Sequence, residues 1–204
     1  METFSACGEN AILAHCREEL HVPQRLPPLP DDQWDDRTRE ALSSLLPRRL
    51  RNERGAGPAI GTLARHPDLA ELFLPFSTYV LFKNSLPPRM RELVTLRVAK
   101  RRDCAYEWAH HVKLAREAGL SDAEIEAAGR GKATDPVESL VLAAVDELED
   151  DSTLSDRTWD ALAEHLDERG RMDLVFTVGT YALLAMVFNA FGVPGAPEGS
   201  GDDH

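Results

Sequence analysis

The 204-residue sequence predicts an all-α helical bundle of seven to nine helices. Three observations predict it. Apolar residues recur at helical spacing in segment after segment. No segment shows the period-2 alternation of a half-buried strand. Prolines, Ser/Asp caps and glycines fall where helices should start and stop. The composition, 43% apolar and 28% charged, is that of a folded domain. A chain of this length buries a core without disulfide or metal staples.

The elements follow in order. Residues 1–24 form an extension in which Ile12, Leu13, Cys16 and Leu20 have the spacing of one short amphipathic helix. The helical domain is expected over residues 25–194. Arg25–Pro30, with three prolines, reads as an extended arm. Asp31 or Asp32 is expected to cap a helix carrying Trp34, Thr38, Ala41, Leu42, Leu45 and Leu46. A loop rich in Gly, Arg and Pro is expected from Arg48 to Pro58, then a short helix over Ala59–Arg65. Pro67 suits the first turn of the next helix, which Pro75 is expected to kink. Pro87 and Pro88 open a helix over Arg89–Arg102, and another runs from Cys104 to Ala118, stopping at Gly119. Ser121 and Glu124 match a capping box. Asp135-Pro136 opens a helix to Glu149, and Ser155 caps the next. A long apolar helix over Met172–Phe191 ends at Gly192, and residues 195–204 read as a disordered tail. Leu174–Val193 is 20 residues without a charge, long enough to span a bilayer. As the lone such run, with Thr177, Thr180, Tyr181 and Asn189 inside it, it is read as a helix buried in a core or an oligomer interface.

Charge and cysteine content exclude several classes. With 23 basic and 35 acidic residues the net charge is −12, the wrong sign for a nucleic-acid binder. Three cysteines, Cys7, Cys16 and Cys104, imply no disulfide framework. No secretory leader opens the chain, so a cytoplasmic location is expected, with no membrane partner. Gly55-Ala-Gly57 lacks the strand–turn–helix context of a phosphate loop.

The chemistry concentrates in Ser85–Arg116. This stretch holds eight basic and three acidic residues, net +5, which leaves −17 elsewhere. Such an island suits a small anionic organic molecule, or merely the cation-favouring end of a helix. Within it Cys104, Glu107 and His111 share one helix face, with Trp108, Val112 and Ala115 beside them. A Glu and a His on an apolar face are costly to bury unpaired, and one turn apart they can pair and pass protons. A satisfied core histidine accounts for the same spacing. Glu92, 12 residues before Cys104, reaches the pair if the two helices pack antiparallel, and two carboxylates beside an imidazole make a proton relay. Arg89, Arg91 and Arg97 are candidates to hold a substrate carboxylate. His110 points about 100° away from His111 and is expected to be exposed. Adjacent histidines diverge on a helix and no paired Cys or His-x-x-x-His spacing exists, so no metal is expected.

Arg91-Glu92-Leu-Val-x-Leu-Arg-Val-Ala, then Glu107-Trp-x-x-His111, then Ala118-Gly-Leu-Ser-Asp-x-Glu-Ile resemble the carboxymuconolactone decarboxylase family, which includes the alkylhydroperoxidase D-type proteins. Leu63-Ala-Arg-His-Pro, the Leu-Pro-Phe at Pro75 and Asn189-Ala-Phe-Gly extend the likeness over roughly residues 25–194. The resemblance implies an all-α, alkylhydroperoxidase D-like fold that associates as homo-oligomers, commonly trimers or hexamers. In the peroxidase branch a Glu is followed by Cys-x-x-Cys-x-x-x-His. Glu92, Cys104 and His111 match that pattern, but Glu107 stands at the peroxide-reacting cysteine. With no second thiol at the site, a dithiol cycle has nothing to resolve a sulfenic acid, unless Cys7 or Cys16 folds over it. The decarboxylase branch, with Glu and His and no required cysteine, is closer. It implies a cofactor-free lyase acting on a carboxylated lactone, with His111 as proton donor or charge stabiliser, Glu107 tuning it, Glu92 holding the relay, and Arg91, Arg97 and Trp108 as weaker substrate contacts. Three readings stand at this stage: an acid–base enzyme of this kind or a biosynthetic tailoring variant, a peroxide-reducing protein using Cys104 as a lone redox thiol, and a non-catalytic helical oligomer.

Overall fold

The computed structural model describes residues 23–195. Among them are nine α-helices, two short 3₁₀ turns and no strand. The expectations for residues 1–22 and 196–204 lie outside the described residues.

The chain enters as the extended arm expected at Arg25–Pro30. It is tied to the far end of the fold: Arg25 N–H and Leu26 N–H donate to Phe191 O at 2.9 and 3.2 Å, and Leu29 N–H donates to Gly61 O at 2.8 Å. A 3₁₀ turn at Asp31–Gln33 follows. Helix α1, Asp36–Ala41, is capped by Asp35, whose carboxylate accepts from Thr38 N–H. The cap expected at Asp31 or Asp32 is therefore corrected. Asp31 instead accepts from Glu53 N–H and anchors the next helix.

The expected Arg48–Pro58 loop is also corrected. It contains a 3₁₀ turn at Arg48–Leu50 and the start of α2, Glu53–Leu63. Asn52 caps α2 by accepting from Gly55 N–H, and the helix is broken inside at Gly57, whose φ of 65° favours glycine. The Gly57-Pro58 pair looked like loop because it is a kink between two helical pieces.

Helix α3, Pro67–Phe82, starts on Pro67 as expected, but it runs through Pro75 without leaving helical geometry. The helices α4 (Pro88–Arg101), α5 (Ala105–Glu117), α6 (Asp122–Gly129), α7 (Pro136–Asp151) and α8 (Asp156–Ala163) follow the expected order. The capping box at Ser121 and Glu124 is formed in full. Helix α9 runs from Glu168 to Phe191 and ends at Gly192, whose φ is 69° and where a Cβ would collide with the Pro23 carbonyl.

Helix α4 is the hub. It packs against α5, α6, α7 and α9, and Glu92–Leu96, Val98 and Ala99 are all buried. One core forms where Val94 and Val98 meet Val141, Val145, Leu174 and Val178 of α7 and α9. A second joins Leu93 and Leu96 to Ala115, Ile125 and Leu142. Each fully buried leucine contributes about 2 kcal/mol through the apolar surface it removes from water. Helix α9 is long and apolar enough to cross a membrane, but here it packs on α3, α4, α7 and α8. Its inner face fills the core, as the charge-free sequence suggested.

Candidate acid–base site

Helices α4 and α5 bring Glu92, Glu107 and His111 together. All three are buried, at 1, 3 and 2% exposure. His111 Nδ1 lies 2.7 Å from Glu92 Oε2, and His111 Nε2 lies 3.2 Å from Glu107 Oε2. As the imidazolium, the ring donates at both nitrogens, one carboxylate to each side. Burial alone would lower the His111 pKa, but hydrogen bonds to Glu107 and Glu92 outweigh it and hold the pKa above the ordinary histidine value. Arg91 Nε sits 3.3 Å from the second oxygen of Glu92. Two carboxylates, an imidazolium and a guanidinium cancel formally, which is how such charge is tolerated in a core.

Glu107 is the outer member, with 5% of its side chain exposed against 2% for the other two. Its local placement follows from α5: Glu107 and His111 are one turn apart, so the carboxylate reaches the ring on its own helix. Glu92 comes from α4, which packs along α5 more extensively than on any other helix.

The spacing did not reveal Tyr181. It arrives from α9 and meets the His111 ring edge-on, centroids 4.9 Å apart. Burial, then repulsion from Glu107 and Glu92, push its phenol pKa up. The signal available was a lone tyrosine within the charge-free run. Further out, Tyr106 meets Phe188 edge-on at 5.0 Å and stacks on His110. His110 is exposed, as expected.

Other candidates are placed elsewhere. Trp108 turns away to α6, where its ring lies against Gly129 and Lys100 Nζ sits 4.8 Å above it. One residue from Glu107 is a rotation of about 100°, enough to leave the site. Arg97 is committed to Asp146 at 2.7 Å and to Gly129 O at 2.7 Å. Arg89 is held by Glu138 and Glu124, and Arg101 and Arg102 by acids of α7. The basic island is mostly neutralised by α6 and α7; Arg91 is the arginine it directs at the trio.

Cys104 is the N-cap residue of α5 and 1% exposed. Burial pushes its thiol up to about 11, and the nearby Glu107 carboxylate adds to this. Among the described residues no group of His, Cys, Asp and Glu side chains is arranged to hold a metal. Both His111 nitrogens face carboxylates.

Residues 67–150, which carry Glu92, Cys104, Glu107 and His111, match the model of the carboxymuconolactone decarboxylase family. The fold is that of solved alkylhydroperoxidase D-like proteins. An alkylhydroperoxidase AhpD core, an uncharacterised peroxidase-related protein from Ralstonia eutropha JMP134, superposes with a TM-score of 0.66 at 17% identity, over 85% of this chain and 94% of that one. An uncharacterised peroxidase-related protein from Silicibacter sp. TM1040 superposes with a TM-score of 0.64 at 15% identity, over 90% of this chain and 96% of that one. No curated protein sequence matches the chain.

Proposed function

We propose that this chain, which carries a carboxymuconolactone decarboxylase family segment on an alkylhydroperoxidase D-like fold, is a cofactor-free acid–base enzyme. Its substrate class is a small carboxylated lactone or related carbonyl compound, and its chemistry is decarboxylation or isomerisation. A tailoring step in a biosynthetic route would use the same groups. The observation that carries this reading is a single buried imidazole held at both nitrogens by carboxylates. A neutral core histidine is satisfied by an acceptor at one nitrogen and a donor at the other; carboxylates at both raise the ring's basicity and keep its proton available inside an apolar shell.

In decarboxylation the bond between the carboxylate carbon and its neighbour breaks, carbon dioxide leaves, and the electron pair stays as an enolate. His111 gives a proton to that carbon, and Glu107 and Glu92 stabilise the imidazolium before transfer. Arg91 is the side chain available to meet the substrate carboxylate, by a two-pronged contact that lysine could not make.

The second reading, peroxide reduction by Cys104, rests on the peroxidase-related names of the two structural relatives. A buried thiol with a pKa near 11 is a poor nucleophile at neutral pH. Release of carbon dioxide from carboxylated lactones separates the readings. The acid–base reading expects Cys104→Ser to retain turnover and His111→Gln to lose it. Turnover lost in Cys104→Ser, with peroxide consumed by the parent protein, would replace it with the thiol reading.

Self-association belongs to the same proposal. The outer face of α9 exposes Met172, Val175, Phe176, Leu183 and Met186, and α3 adds Leu72, an apolar surface that a homo-oligomer, a trimer or hexamer, would cover. Light scattering should find an oligomer in the parent and a smaller species in Leu183→Glu; an unchanged parent monomer refutes it. A cytoplasmic setting completes the proposal.

A further inference from the structure

We infer that His110 is the relay residue through which the buried His111 exchanges protons with solvent. The inference rests on the acid–base reading for its purpose, but its geometry is independent of any substrate. Removing carbon dioxide from a carboxylate and leaving a C–H bond consumes one proton per turnover. That proton must come from water, and His111 is 2% exposed with both nitrogens turned to carboxylates. A route past the shell is required.

His110 is the exposed titratable ring in contact with the buried one. Its centroid lies 5.3 Å from that of His111, the two rings nearly perpendicular. The two rings meet edge to face, so no side chain stands between the exposed imidazole and the buried one. The Tyr106 ring lies parallel to His110 at 6.2 Å, and Tyr106 is itself braced by Phe188. The His110 ring is thus held between Tyr106 and His111. Partial loss of hydration against its neighbours, then repulsion from His111, keep its pKa below the ordinary value; Lys113 acts in the same sense, and Glu107 and Glu92 oppose it. A neutral, water-facing imidazole beside a buried imidazolium is matched to passing protons one at a time. The step is a proton transfer only: an N–H bond forms on His110 with a proton from water and breaks as that proton passes inward, and the Glu107 carboxylate already seated on His111 Nε2 hands it to the ring to replace the proton that His111 has given up.

The experiment reads the resting protein. The exchange rate of the His111 ring N–H protons with bulk water is measured by NMR in the parent and in His110→Gln, with the His111 pKa measured in both. The expected result is exchange slowed about a hundredfold, the lower end of what a positioned proton-transfer group contributes, with the His111 pKa nearly unchanged, and restored by added free imidazole. Unchanged exchange overturns the inference. Slowed exchange that imidazole does not restore also overturns it, because it reports altered packing. Lack of turnover on carboxylated lactones would sink the acid–base reading and leave this measurement standing.

Discussion

Two buried acid sites lean on α9 and are satisfied in opposite ways. Asp173, in the first turns of α9, is 5% exposed and accepts from Tyr79 hydroxyl at 2.8 Å, Ser85 N–H at 2.7 Å and Ser85 hydroxyl at 2.6 Å. Its partners are hydroxyl and backbone amide donors. Burial pushes its pKa up, the Ser85 and Tyr79 bonds outweigh that, and the result lies below the ordinary carboxylate value. Glu92 and Glu107 share one imidazole instead. Saturating an acid with permanent donors makes an anchor, here pinning the α3–α4 turn to α9. Making two acids compete for one titratable ring makes a place where a proton is mobile.

The contrast can be broken at its strongest point first. His111→Gln should lower turnover at least about a hundredfold, the contribution of a positioned proton donor, in a carbon dioxide release assay, while the fold persists by circular dichroism. Asp173→Ala should do the reverse. It strands the Tyr79 and Ser85 donors and should cost about 3 kcal/mol in urea unfolding, with turnover per folded molecule unchanged. If Asp173→Ala silences turnover while stability holds, the division into anchor and relay is wrong.

Smaller effects sharpen it. Glu107→Gln should lower the His111 pKa by about one unit, equivalent to about 1.4 kcal/mol, and Glu92→Gln by less, since Arg91 already offsets part of the Glu92 charge. An NMR titration reads both. The pH dependence of stability should split between the sites. His111 has its pKa raised from an unfolded value of 6.5, so its contribution is complete below about 6.5 and is lost as pH rises through the folded value. Asp173 has its pKa lowered from 3.8, so its contribution is complete above 3.8 and is lost as pH falls through the folded value. Unfolding free energies across pH should lose the alkaline slope in His111→Gln and the acid slope in Asp173→Asn. A single slope common to both variants would contradict the assignment.

The trio was legible in the sequence because helical spacing alone places Glu107 under His111, and one antiparallel neighbour suffices to bring Glu92. Tyr181 was not, because it enters from a helix 70 residues downstream of His111 and periodicity says only that it is buried. Arg97 is the better candidate on paper, because Arg91, six residues earlier on α4, lies at a helix start that also suits solvent; the structure reverses that order. What separates them is Asp146, 49 residues beyond Arg97, a pairing that local pattern does not encode. The capping box, the Pro67 start and the Gly192 stop were readable because their physics is local. The start of α2 was missed because Gly57 and Pro58 mark a loop and a kink with the same letters. The Trp108 misplacement came from treating a broad apolar face as a single surface, whereas α5 divides it between α4 and α6.

Helix α4 touches four other helices, and seven of its 14 residues are buried, with Pro88 and Lys100 alone exposed. In local unfolding, a protein opens first at its least-embedded parts and last at its most-embedded ones. The rim helices α1, α2 and α8 have room to breathe, whereas freeing Glu92 would require dismantling the cores on both sides of its helix. The site is therefore bound to the most persistent element of the molecule. Partial melting that strips the rim should leave its proton network assembled, and the site should be lost only with the global transition.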